Sequence, residues 1–209
     1  MSPTRRDEHV ADTRQSLVDT ARRLFTSQGY AATGTEEIVA GARVTRGALY
    51  HHFRDKTDLF RAVMEQIARE VAEQLIEAEL GRPADTPGPA DAWDEVRDGL
   101  GAFLDLCVVT DDFQRIVLVE GPAVLGHEAW DDLVAQYGSN LLGQWLTRAM
   151  EEGRIVPVPV QPLTRLLIAM ISESSLYIAR AEDRPAARAE MGQVIDHLLG
   201  GLEGARVSL

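Results

Sequence analysis

VTRGALYHHFRDKTDLF, from Val44 to Phe60, is the stretch whose reading decides the fold. Thr45 can cap a short helix beginning at Arg46 and ending near Phe53. Leu49 and Phe53 stand at i and i+4, so they share one face, the one that turns to a core. Thr45, Arg46, Ala48 and Tyr50 then lie off that face, with Gly47 near the start. A glycine there costs about 1 kcal/mol against alanine, a cost that fits a close approach of backbone to a partner. Asp55 can cap a following helix that opens with Lys56, the only lysine in the chain.

The residues before this stretch complete a motif. Leu17, Ala21, Leu24 and Phe25 fall on one helical face, so a first helix is expected from about Thr13 to Gln28, with Gly29 stopping it. Thr33 and Glu36 have the spacing of a capping box, which predicts a second, short helix running to about Ala42. Arg43 and Val44 then form a tight break. Two short helices joined by a tight turn read as a helix-turn-helix, whose second helix enters the major groove of DNA by its N-terminal end. Arg46 can donate to guanine or to phosphate, and Thr45 to phosphate, or its methyl can meet that of thymine. Tyr50 and His51 can reach phosphates, contacts that position without specifying. Lys56 can hold a phosphate together with the free N–H groups of its helix.

Charge is distributed accordingly. The chain carries 21 Lys and Arg against 33 Asp and Glu, a net charge of −12. Residues 1–61 hold ten basic and eight acidic groups, net +2, and the remainder holds eleven and twenty-five, net −14. A head dotted with arginine on an acidic body suits a protein whose head meets a polyanion while its body is repelled.

The rest reads as helices near 56–80, 90–109, 111–120, 129–152, 161–181 and 184–203, with a proline- and glycine-rich loop at Gly81–Asp91. The expectation is an all-α chain of about nine helices. A helix-turn-helix domain occupies residues 1–55 and a larger helical domain 56–209. The single cysteine excludes an internal disulfide. No secretory h-region opens the chain, and the apolar run Leu166–Ala179 is too short and too polar to span a bilayer. A cytoplasmic protein is expected, with no membrane partner.

Enzyme motifs are missing from the sequence. There is no G-x-S-x-G, phosphate-binding loop or dinucleotide fingerprint. His127-Glu128-Ala129-Trp130-Asp131 begins like a zinc-protease motif, but aspartate stands where the second histidine belongs. His51 and His52 are adjacent and diverge by about 100° on a helix. No catalytic residues, metal or cofactor are expected. Cys107 lies in an apolar helix, where an inert buried thiol is the default.

The run from Thr13 to Val63, roughly a quarter of the chain, resembles the DNA-binding domain of the TetR family of transcriptional regulators. The matching pieces are A-x-x-L-F (Ala21–Phe25), G-Y-x-x-T (Gly29–Thr33), Ile38, and V-T-R-G-A-L-Y-H-H-F-x-x-K (Val44–Lys56). The resemblance implies DNA contacts at Thr33, Thr45, Arg46, Gly47, Tyr50, His51 and Lys56, with Thr35 and Ala48 beside them. Two positions depart from the pattern. Arg43 stands where the turn usually has glycine, which implies a mildly strained left-handed residue that could add a phosphate contact. Gly34 stands where a hydroxyl residue is usual.

The resemblance also implies a homodimer built on the last two long helices, and a body that binds a small molecule. Candidates for a ligand wall are the apolar and aromatic side chains Trp93, Phe103, Cys107, Phe113, Trp130, Tyr137, Trp145 and Tyr177. Glu173, inside an apolar run, and Glu120, beside Gly121-Pro122, are the polar candidates, since a buried carboxylate needs a partner. The function expected is a regulator, most simply a repressor, released from a palindromic DNA operator by a small ligand. The competing reading is an all-α interaction protein whose head docks other proteins.

Overall fold

A computed structural model describes residues 5–80 and 91–203 of the chain. Ten α-helices and two π-helical segments make up the described residues, so the all-α expectation holds. The helices are α1 (Arg5–Gln28), α2 (Thr35–Gly41), α3 (Arg46–His52), α4 (Lys56–Leu80) and α5 (Ala92–Val109). A π-helical segment, Phe113–Glu120, runs straight into α6 (Gly121–Leu125), followed by α7 (His127–Val134), a second π-helical segment (Ala135–Ser139) and α8 (Asn140–Glu151). Helices α9 (Val160–Arg180) and α10 (Arg184–Gly200) close the fold. The loop expected at Gly81–Asp91 lies outside the described residues except for Asp91, which caps α5 by accepting from the N–H groups of Trp93 and Asp94.

The count exceeds nine for two physical reasons. Pro122, in the gap expected between the helices near 111–120 and 129–152, sits in the first turn of a further helix, α6, a position where proline is tolerated. The single helix expected over 129–152 is divided by the π-helical turn at Ala135–Ser139. Among the described residues the only extended pairing is one antiparallel bridge, Ile155 to Glu203, beside the proline-interrupted PVPV segment.

Two hydrophobic clusters hold the molecule. The first packs Leu17, Ala21 and Phe25 of α1 against Ile38, Leu49 and Phe53, and then against Leu59, Phe60, Val63 and Ile67 of α4. Phe25, Tyr30 and Phe60 form a triangle of rings with centroids 5.7, 5.3 and 5.1 Å apart. Each such contact adds roughly 0.5–1.5 kcal/mol beyond burial. This cluster continues without a break into Cys107, Phe113, Ile116 and Val117. The second cluster joins α5, α8, α9 and α10 around Trp93, Leu104, Leu146 and Ile178.

No helix among the described residues is long and apolar enough to cross a membrane. The run Leu166–Ala179 instead divides by face. Leu167, Ile171 and Ile178 are buried, whereas Leu166, Glu173 and Tyr177 face outward. On α10, Val194 and Leu198 are likewise exposed, at 54 % and 58 %.

Candidate functional site

The turn between α2 and α3 follows from its backbone bonding. Ala42 caps α2, and Arg43 next to it has φ 56°. The N–H of Arg43 donates to Ala40 O at 3.2 Å, and that of Val44 to Val39 O at 3.0 Å. These are the two bonds of a Schellman motif, which needs a left-handed residue at the position Arg43 occupies. Arg43 is the only non-glycine residue with positive φ among those described. The strain read from the missing glycine is therefore real, and the Arg43 side chain points to solvent.

Helix α3 is held by one face. Leu49 is fully buried and Phe53 nearly so, with the Arg14 guanidinium 5.1 Å from the Phe53 ring centroid. Thr45 caps the helix, its hydroxyl accepting from Ala48 N at 3.2 Å. The outer face carries Thr45, Arg46, Gly47, Tyr50 and His51, all exposed, with Ala48 partly so. A Cβ built on Gly47 would meet nothing nearer than Thr45 Oγ1 at 3.8 Å. Nothing inside the fold requires glycine there.

Arg46 is engaged before any partner arrives. Its guanidinium bonds Glu36 Oε1 at 2.8 Å and lies 5.6 Å from the Tyr50 ring centroid. The hydrogen bond to Tyr50 and the charge of Glu36 raise its pKa above the usual arginine value. Glu36 is thus part of this face. The capping-box reading hid it, because it assigned Glu36 to the backbone of α2. The helix in fact begins one residue later, capped by the backbone of Gly34 with no side-chain bond.

Two expected contacts need correction. Thr33 is buried, and its hydroxyl donates to Gly29 O at 2.7 Å, so it braces the loop and does not face outward. The Lys56 ammonium donates to Tyr30 O at 2.8 Å and Thr33 O at 3.0 Å, and sits 4.0 Å from the Tyr30 ring centroid. Its first role is to tie α4 to the α1–α2 loop. Thr35 opens α2, half-buried.

The body contains a cavity of about 270 Å³ between α4, α5, the Phe113–Glu120 segment and α9. Of the candidate wall residues, Phe103, Phe113, Tyr137 and Trp145 line it. The others do not. Trp93 is buried in the second cluster, its indole N–H directed at Glu203 Oε1. Cys107 lies 3.1 Å from Ser175 Oγ, and burial pushes its thiol up to about 11. Trp130 donates to Val117 O at 2.7 Å. Glu173 and Tyr177 are on the exposed face of α9. Glu173 looked buried because its neighbours in sequence are apolar, but those neighbours alternate between core and surface.

Glu120 has a different task. Its carboxylate accepts the Tyr30 N–H, and beside it Arg115 donates to Thr26 O at 2.9 Å and Ser27 O at 3.2 Å. A cation on the last carbonyls of α1 is favoured by the helix dipole. Arg22 reinforces the seam, bridging Glu70 and Asp112 at 2.6 Å each. Burial alone would lower the Arg22 pKa, but the bonds to Glu70 and Asp112 outweigh it and raise it. Arg115 and Arg22 were not legible as site residues, since their partners lie 48 to 90 positions away.

Comparison with known proteins gives consistent results for both halves. Residues 17–63 match "Bacterial regulatory proteins, tetR family", and residues 93–202 match "Tetracyclin repressor-like, C-terminal domain". The HTH-type transcriptional regulator AcrR of Shigella flexneri is 41% identical over 78 residues, 37% of this chain and 36% of that protein. This chain thus spans about a third of the length of AcrR. A solved structure of a TetR-family transcriptional regulator from Pectobacterium atrosepticum is 34% identical, with TM-score 0.74, covering 96% of this chain and 98% of the other. The regulator FadR from Bacillus subtilis, crystallised with stearoyl-CoA, is 16% identical with TM-score 0.72, over 90% of this chain and 99% of that one. At that identity the likeness shows the fold.

Proposed function

The chain belongs to the TetR family of bacterial regulatory proteins, and on that premise we propose that it is a ligand-responsive repressor acting as a homodimer on a palindromic operator. The observation that carries this is the outer face of α3. Thr45, Arg46, Gly47, Tyr50 and His51 are presented together, with Leu49 and Phe53 anchoring the helix behind them. Arg46 would leave Glu36 for a base edge or phosphate, Arg43 and Tyr50 would flank it on phosphates, and Gly47 would admit the sugar-phosphate backbone. The head comprises residues 1–55, and α4 opens the body.

One such helix buries too little for specific affinity. Two, related by a two-fold axis, read successive major grooves about 34 Å apart. The exposed face made by Leu166 and Tyr177 of α9 with Val194 and Leu198 of α10 is apolar enough to pair with itself across that axis. Glu173 would be desolvated there. DNA as partner places the protein in the cytoplasm.

The cavity would hold the effector. FadR, of the same fold, carries stearoyl-CoA in its crystal structure. In this chain α4 lines the cavity with Val71, Ala72 and Leu75, while its first half packs against α1, which in turn carries α2 and α3. Phe113 and Val117 line the cavity on the segment whose Arg115 and Glu120 grip the end of α1. A ligand that favours one arrangement of these elements shifts the spacing of the two heads, to the extent that it binds one conformer more tightly. The test is a fluorescence titration on DNA flanking its own gene. Arg46→Ala is expected to weaken specific binding by about 1–3 kcal/mol, and affinity should fall steeply with salt. Arg46→Ala binding as tightly as wild type, or an affinity indifferent to salt, would leave the head as a protein-docking surface.

A further inference from the structure

Resting on the reading of the cavity as the effector site, we infer that Ser172 is its polar anchor, and that the ligand is a compact ring compound, apolar apart from one oxygen that hydrogen-bonds the Ser172 hydroxyl. Ile168, Ile171 and Ser172 stand at i, i+3 and i+4 on α9, and all three line the cavity. Two neighbouring serines on the same helix return their hydroxyls to its backbone, a common outcome for serine inside a helix. Ser174 donates to Met170 O and Ser175 to Ile171 O, each at 2.7 Å. Ser172 makes no such bond to Ile168 O, and among the described residues no other group meets its hydroxyl. The other oxygen-bearing side chains described on the wall are engaged. Glu95 pairs with Arg148, the Tyr137 hydroxyl is hydrogen-bonded to Arg69, and Asp98 has a partner too.

The rest of the described wall shapes the body of the ligand. Most of it is aliphatic, and four rings line it: Phe103, Phe113, Tyr137 and Trp145. Phe103 and Phe113 meet edge to face, with centroids 5.4 Å apart. Trp145 is laid on the α5 backbone at Gly99, where a Cβ would stand 3.1 Å from Trp145 Cζ3. Rings held in this way favour another ring beside them, edge to face or offset-stacked. The cavity's about 270 Å³ suits a compact molecule. A wholly apolar occupant would strip the Ser172 hydroxyl of water and leave it unpaired, a loss that a ligand oxygen at hydrogen-bond distance avoids.

The experiment uses the full chain and two pairs of probes, 1- and 2-naphthol against 1- and 2-methylnaphthalene, in which methyl replaces hydroxyl. Affinities come from calorimetric melting shifts over a range of probe concentrations in matched co-solvent, on wild type, Ser172→Ala, and two cavity-plugging variants, Ala72→Trp and Ala102→Phe. The melts also show that each variant folds. Ser172→Ala should weaken the tighter-binding naphthol roughly fivefold and leave the methylnaphthalenes unchanged or bound more tightly. Each plug that folds should abolish the shift by every probe. Naphthol binding unchanged in Ser172→Ala, an equal weakening of naphthols and methylnaphthalenes, a shift that survives in a folded plug, or no binding by any probe overturns the inference. DNA release is read alongside. A naphthol that fills the cavity and releases DNA without regard to Ser172 defeats the anchor and leaves the regulator reading standing. Binding that depends on Ser172 with no effect on DNA does the reverse.

Discussion

The Glu120 carboxylate accepts the backbone N–H of Tyr30 at 2.9 Å, across 90 positions of sequence. The Glu120 and Arg115 side chains can come so close to this turn because Gly29, at φ 87°, has no side chain. A Cβ there would stand 2.7 Å from Glu120 Oε1 and 2.9 Å from Arg115 Nη2. The cavity wall and the head are thus joined at the C-terminal end of α1 as well as through α4. Replacing the clamp with Glu120→Ala and Arg115→Ala should cost about 1–3 kcal/mol of stability, from lost charge-assisted bonds. Operator affinity without ligand should change little, while release by ligand should weaken several-fold. Thermal melts and DNA titrations with and without ligand check this, and an unchanged ligand response would show that α4 alone transmits the shift.

Gly47→Ala separates stability from function. The new methyl meets no clash inside the protein, since the nearest atom is Thr45 Oγ1 at 3.8 Å. Helix propensity then predicts a gain of about 1 kcal/mol in stability. If Gly47 serves approach to DNA, affinity falls in the same variant. A higher melting temperature with tighter operator binding would remove that role.

What the sequence made legible follows from periodicity and local chemistry. Leu49 and Phe53 could be placed on the core face from an i, i+4 spacing, and Thr45 as a cap from its position, because both depend on neighbours within one turn. Arg43's left-handed backbone was legible for the same reason. Long-range partners were not. Lys56 looked like a free phosphate ligand until the loop carbonyls of Tyr30 and Thr33 came to meet it. The tryptophans show the limit most plainly, since Trp145 lines the cavity while Trp93 is core, and composition treats them alike.

Arg43→Gly tests the strained turn. Relief of the left-handed penalty, about 1–2 kcal/mol, exceeds the extra freedom glycine gives the unfolded chain, about 0.5–1 kcal/mol. The variant should melt slightly higher. If the exposed guanidinium meets a phosphate, the logarithmic salt slope of DNA binding should become shallower by about one per head. A slope identical to wild type would confine Arg43 to a structural role.

Glu36→Gln addresses the charge that holds Arg46. The pair is 2.8 Å apart but 64% and 70% exposed, so its loss should leave stability near wild type. Removing an anion from the face that meets phosphates, and freeing Arg46, should raise operator affinity several-fold, most at low salt. Weaker binding in Glu36→Gln would mean that Glu36 orients Arg46 for its partner instead of competing for it.

His52 gives the head a pH dependence whose sign is fixed. Burial first, then the neighbouring charges of His51 and Arg14, hold its imidazole below the usual 6.5. The unfolded chain therefore takes up a proton near 6.5, while the folded head resists it to lower pH. Across that window the unfolded state binds more protons, so this group's contribution makes stability rise with pH. The contribution is intact above 6.5 and is eroded as pH falls toward the lowered value. Other groups titrate nearby, so the difference between wild type and His52→Gln isolates it. Urea denaturation at a series of pH values from mildly acidic to neutral should show wild type losing more stability than the variant on acidification. A difference curve of opposite slope would mean that His52 gains a partner when charged, and the burial account of this side chain would fail.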